Sequence, residues 1–229
     1  MFPYRDNLIH GGWSIGVVCL VVVLCIINLP LFLFPEFHDV VVSAGGFVPI
    51  LFSEHAFQSS YRLITAAILH GDIFHLAGNC LFLVVFGRAL ERLFGFRLLL
   101  ILFPILGIPG FIAEWAMHAA SPAPVIGASG AIATLMGAYL PLFPHARIRM
   151  LLWLGWLWKR FTLPAWVFLP YWMGLQLLSI ASGTYDGIAY AVHAGCFAAG
   201  VIAAIVWKTA YIGADVKLEG FKEISFESK

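Results

Sequence analysis

The chain has 229 residues, 62% hydrophobic and 11% charged, with a mean hydropathy of +0.94. A soluble domain carries about 25% charged residues. No water-soluble core of this size could bury so much apolar surface, so the chain is an integral membrane protein. The net charge of +1 argues against nucleic acid as a partner.

Six apolar runs follow one another: residues 13–34, 75–94, 98–117, 129–144, 163–182 and 187–207. A helix needs about 20 residues to cross the hydrocarbon, so the fourth is short. The first run is longer than the roughly 7–15 residues of a signal-peptide core and more spans follow, so it reads as a retained anchor. Residues 1–12 form a short N-terminus, 13–209 the membrane domain and 210–229 a polar tail. Between runs one and two, residues 35–74 mix aromatics with Glu36, Asp39, Glu54 and Arg62, a composition suited to the membrane interface. Pro122 and Pro124 bar a regular helix across residues 118–128. The four cysteines, Cys19, Cys25, Cys80 and Cys196, all lie in apolar runs without a CxxC pair, so neither a disulfide nor zinc is implied.

Charge sets the orientation. Arg5, Arg88, Arg92, Arg97, Arg147, Arg149, Lys159, Arg160, Lys208, Lys217, Lys222 and Lys229 fall on one side of the six runs, and Arg62 alone on the other. The positive-inside rule then makes both termini cytoplasmic. The fold expected is an all-α polytopic membrane protein of six transmembrane helices, set in the lipid bilayer.

Polar groups inside a bilayer are expensive and mark functional sites. Ser129, in Gly127-Ala128-Ser129-Gly130, begins the fourth run. It reads as a helix cap or as a nucleophile beside the unpaired N–H groups of a helix start. His193, in the sixth run, reads as a histidine bonded to a carbonyl or as a general base. Ser129 precedes Pro144 by fifteen residues, and His193 precedes Lys208 by the same number. At about 1.5 Å per residue both sit roughly 22 Å above the inner boundary, so the two are level. Small residues line both helices, Ala133 and Gly137 below Ser129, Gly200 and Ala204 below His193, which permits close packing. His75 and Asn79 share one face of the second run near that depth; they either join helices or offer donors to a developing oxyanion. Asp186, Asp72, Glu91 and Glu114 are all poorly placed to orient His193, which leaves a Ser–His dyad. No HEXXH motif and no aspartyl-protease setting are present, so no metal is called for.

These residues together resemble the rhomboid intramembrane serine proteases of the six-span bacterial type. The resemblance runs from Gly46 to Gly200. It includes GFVP, Tyr61-Arg62, LHGDIFHLAGNCLFLVVFG, GRALERLFG, GASGAIATLMGAYLPLFP, and His193 with Gly195 and Gly200. It implies a rhomboid-like bundle with Ser129 as nucleophile and His193 as general base. His75, Asn79 and the Ser129 N–H would form the oxyanion hole, and Gly127 would line the approach. His70, Arg62, Glu91, Gly130, Gly137, Gly195 and Gly200 would be structural supports. The implied substrates are single-span membrane proteins cut in or near their spans, without a cofactor. The expected location is a prokaryotic plasma membrane, with the site open to the outer side. Three positions depart from the family's pattern: Cys196 replaces the second glycine of a pair, Val192 an alanine, and Ala133 an aromatic that stacks on the histidine in some members. None of these removes a reacting group.

Two other classes fit these residues less well. A small transporter would place its polar residues at the midplane in repeated halves, whereas here they are shallow and unrepeated. A catalytically silent protein that only binds membrane clients would ordinarily lack the serine or the histidine. Span five, with Trp166, Phe168, Tyr171 and Trp172, reads as a gate against span two or as a lipid-facing aromatic belt. Gln176 in that span has no assigned role.

Overall fold

The computed structural model describes residues 2–8, 14–155, 157–184 and 186–212. Trp13, at the head of the first expected span, and all but the first three residues of the expected tail lie outside them. In chain order the elements are β1 (Phe2–Arg5), α1 (Ile15–Phe32), α2 (Pro35–Gly45), α3 (Pro49–Glu54), α4 (Ala56–Ser59), α5 (Arg62–Thr65) and α6 (Ile73–Phe94). They continue with α7 (Phe96–Leu102), a single 3-10 turn, α8 (Ile108–His118), α9 (Ser129–Leu142), β2 (Arg147–Leu154), β3 (Leu157–Pro164), α10 (Ala165–Ala181) and α11 (Tyr190–Ile212). The chain is mostly helical. Among the described residues, four stretches are long and apolar enough to cross a membrane: Ile15–Phe32, Ile73–Phe94, Phe96–His118 and Tyr190–Ala210. Helices α9 and α10 are apolar but shorter, at 14 and 17 residues. Each of the six expected runs therefore contains an apolar helix, the third broken at Pro104 and rejoined at Ile108.

Central α9 is nearly all buried, and α11 lies along it with the two backbones in close approach at Gly137 and Gly200. A Cβ added at Gly137 would strike the carbonyl of Phe197, and one at Gly200 the carbonyl of Thr134. In lipid, where apolar surface gains little by pairing, such backbone proximity is a main source of helix association. At the start of α1, Ser14 makes no side-chain cap. Glu91, from α6, replaces it by accepting from the N–H groups of Gly16 and Val17 at 3.0 and 2.8 Å. A carboxylate there also meets the positive end of the helix dipole.

The segment 35–74 is a set of four short helices bound to itself and to the bundle. Arg62 Nη1 donates to the carbonyls of Ser43 and Gly46, and Thr65 Oγ1 to that of Gly45. Phe47 and Val125 exchange backbone bonds, which ties this segment to the irregular stretch 119–128. That stretch is non-helical, as its prolines require.

The all-helical expectation fails between α9 and α10. There the chain forms an antiparallel sheet in the order β1-β2-β3. Arg147 and Arg149 are exposed while Ile148 and Met150 are fully buried. That alternation is the two-residue period of a strand with one covered face. Leu154 pairs with Leu157 across a two-residue loop that opens on Gly155, whose φ is 73°, a conformation suited to tight hairpins. The expected N-terminal tail supplies the third strand, with Phe2 opposite Leu151. It is anchored by the Tyr139 hydroxyl, which donates to the buried carboxylate of Asp6 at 2.8 Å. At the junction with α10, the N–H groups of Ala165 and Trp166 donate to the carbonyls of Ala146 and Pro144. The first turn of α10 is thereby fastened to the end of α9.

Candidate active site

Ser129 is the first residue of α9, and Gly127 turns the chain into it with a φ of 130°. Few side chains tolerate that angle. The turn is held by the Gly127 N–H, which donates to Ala66 O at 2.8 Å. His193 lies in the first turn of α11. Its Nε2 is 2.9 Å from Ser129 Oγ, and both residues are half-buried. The helix-end count that made the two level is matched by this distance. The Ser129 N–H, at a helix start, has no intrahelical acceptor.

Two further side chains face the same turn. The ring of His75 stands beside Gly127: a Cβ placed on that glycine would lie 2.8 Å from His75 Nε2 and 3.5 Å from Ser129 Oγ. The backbone N–H of His75 donates to Asp72 Oδ1, the cap of α6. One turn on, Asn79 is buried, and its side-chain nitrogen finds no acceptor among the described residues. A buried amide donor left unpaired costs about 1–3 kcal/mol, so its retention points to a partner that arrives with a ligand.

What holds the His193 ring was open in the sequence, because Ala133 is too small to touch it. Two residues of α10 hold it. The Trp172 ring lies 5.6 Å from the imidazole, tilted by 38°. Gln176 Oε1 accepts from His193 Nδ1 at 2.8 Å. Of the aromatics on this helix, Phe168 is buried and stacks on Phe86 of α6, while Trp166 and Tyr171 face outward. The aromatics of this helix thus divide between a face turned to span two and an exposed one. Gln176 was visible as the one amide in its span, but a single helix says nothing about which neighbour an amide meets. Asp186 turns away from this role, because it accepts from the Tyr190 hydroxyl and the Ile188 N–H. Glu114 pairs with His118 at 2.8 Å.

The remaining predicted residues surround this group. His70 is fully buried and meets the His75 ring edge-on at 5.0 Å. Its N–H donates to Asn28 Oδ1 of α1, and its carbonyl takes a bond from His38 of α2. Burial, helped by the neighbouring His75, pushes its pKa down to about 4. Arg62 and Glu91 act at a distance, on the short helices and on α1. Gly130 lies against Val192 and Cys196, and Gly195 against Ala113. The Cys196 thiol fills its place by donating to the carbonyls of Leu106 and Gly107 at the break in span three. A cavity of about 430 Å³ opens beside His193 between α10 and α11, with Gln176, Ser179 and Tyr190 among its lining residues.

The apolar bundle defines a polytopic membrane protein with a serine and a histidine in contact near one end of its helices. The Rhomboid domain model matches residues 58–209, and the chain belongs to the rhomboid family. It is 44% identical over 80 residues to the rhomboid protease GluP of Bacillus subtilis, a segment covering 35% of this chain and 15% of that protein. It is 41% identical over 83 residues to the mitochondrial RHOMBOID-like protein 6 of Arabidopsis thaliana, covering 36% and 26%. Identity is 39% over 80 residues to the putative rhomboid protease YdcA of Bacillus subtilis, covering 35% and 40%. The matched segment thus spans less than half of each relative's own length.

Proposed function

We propose that the chain is an intramembrane serine endopeptidase that cuts single-span membrane proteins in or near their spans. The observation that carries this is the 2.9 Å contact between Ser129 Oγ and His193 Nε2 at the start of a helix. Ser129 attacks the scissile carbonyl while His193 takes its proton. The Ser129 N–H, His75 and the unpaired Asn79 amide stabilise the oxyanion. His193 then gives its proton to the leaving amine, and water releases the acyl-enzyme. The cavity beside His193, which Gln176, Ser179 and Tyr190 help to line, supports a path for that water. The distribution of basic residues supports six spans with both termini cytoplasmic and the site near the outer face.

Labelling tests this directly. A fluorophosphonate probe should modify the purified protein at Ser129, read by peptide mass, and the same preparation should cleave a single-span substrate in liposomes. Absence of both would remove the proposal. Asn79 offers a second check. Asn79→Ala should lower kcat by about a hundredfold while thermal stability stays equal or rises, because the donor it removes is unsatisfied in the free protein. A loss of stability larger than the loss of activity would make Asn79 a structural residue.

A further inference from the structure

We infer that Gln176 is a positioning residue that fixes the tautomer of His193, completing a Ser–His–Gln arrangement in which the amide orients the base; this rests on the Ser129–His193 reading above. An amide oxygen has no proton to give. With Gln176 Oε1 2.8 Å from Nδ1, the ring hydrogen must sit on Nδ1. The neutral ring then presents its lone pair at Nε2, 2.9 Å from Ser129 Oγ, as a general base requires. Which end of the amide faces the ring is set locally. Gln176 Nε2 donates to the carbonyl of Trp172, one turn earlier in α10, at 3.3 Å. That leaves Oε1 for the imidazole. Trp172 meanwhile covers a face of the same ring. One helix therefore fixes the ring's plane with an aromatic and its proton with an amide.

The choice of an amide follows from the setting. A carboxylate at this depth would be costly to bury in lipid. A neutral acceptor orients the ring without that charge and still accepts when the ring becomes imidazolium. Ser129 from α9 and Gln176 and Trp172 from α10 contact His193, and His75 from α6 stands beside Gly127 within electrostatic reach of it. Helix α8 meets α11 through Gly110 and Ala113, which do not titrate. Asp186, the acid nearest in its own chain, is engaged by Tyr190.

The experiment measures fluorophosphonate labelling of Ser129 and substrate cleavage across pH, with the full chain in detergent micelles. Gln176→Leu should lower kcat and the labelling rate by about a hundredfold, with KM within about twofold. Gln176→Glu restores an acceptor and adds negative charge, which favours imidazolium. It should regain most of the rate, with the acid limb of the pH profile moved upward by about one unit. Gln176→Asn, shorter by one methylene, should fall with the leucine variant, and it keeps the test open if leucine disturbs folding. A wild-type rate in Gln176→Leu or Gln176→Asn, or an unshifted profile in Gln176→Glu, overturns the inference while leaving Ser129 and His193 in place. A wild-type protein that takes no label overturns the underlying reading and this one with it.

Discussion

Ser129→Ala is expected to bring cleavage of a single-span substrate below detection, a loss on the order of a millionfold, with helical content and thermal unfolding unchanged. The hydroxyl makes one contact that matters, the bond to His193 Nε2, and Ala128 already occupies the cap position of α9 without a side-chain bond. Removing the oxygen therefore removes chemistry and little else. His193→Ala should lose nearly as much. The double variant should be no worse than either single one, because groups that act as one unit are not additive. A double variant that fell by the product of the two losses would show that serine and histidine act separately. That result would break the pairing even if both residues proved important.

The largest effect on folding is expected at Gly200. A Cβ there would run into the carbonyl of Thr134 on α9, and a backbone atom cannot step aside as a side-chain tip can. Gly200→Val should cost about 3 kcal/mol or more, by forcing α11 off the helix that carries Ser129. The readout is loss of a monodisperse peak in detergent and a lowered unfolding temperature. Gly174→Ala is the control. Nothing lies within 4 Å of an added Cβ at that site in α10, so the change should be neutral or stabilising by up to about 1 kcal/mol. Equal losses at the two sites would mean that helix separation is not the cause.

The parts legible in the sequence were those with a rule behind them. Lipid makes apolar run length informative, so the six helical runs could be read. Helix rise converts residue number into depth, so Ser129 and His193 could be placed level before any contact was known. The sheet was missed because the basic residues around Arg147 were read only for charge. The strand signal was present, in the alternation of Arg147, Ile148, Arg149 and Met150 and in Gly155 between two apolar runs. Its third strand had no such signal: Phe2–Arg5 is four residues, and it is held by a Tyr139–Asp6 bond across 133 positions. Gln176 was missed for a related reason. Its neighbours on α10 are visible in sequence, but its partner lies on another helix. Which face of α10 turns toward α11 is decided by packing, not by the local pattern.

The fastening of α10 to the end of α9 has a consequence for timing. The helix is held at Ala165 and Trp166 by backbone bonds, and its far end leads into the exposed residues 182–184. It is a cantilever. Gln176 stands eleven residues from the fixed end, about 16 Å along the axis. A tilt of about 10° would carry it sideways by about 3 Å, enough to break its bond to His193. If substrate enters by pushing this helix aside, the imidazole is released from its amide while the way in is open. Entry and proton transfer then exclude one another in time. On that route the serine would regain its base only once the helix had returned, with the peptide enclosed.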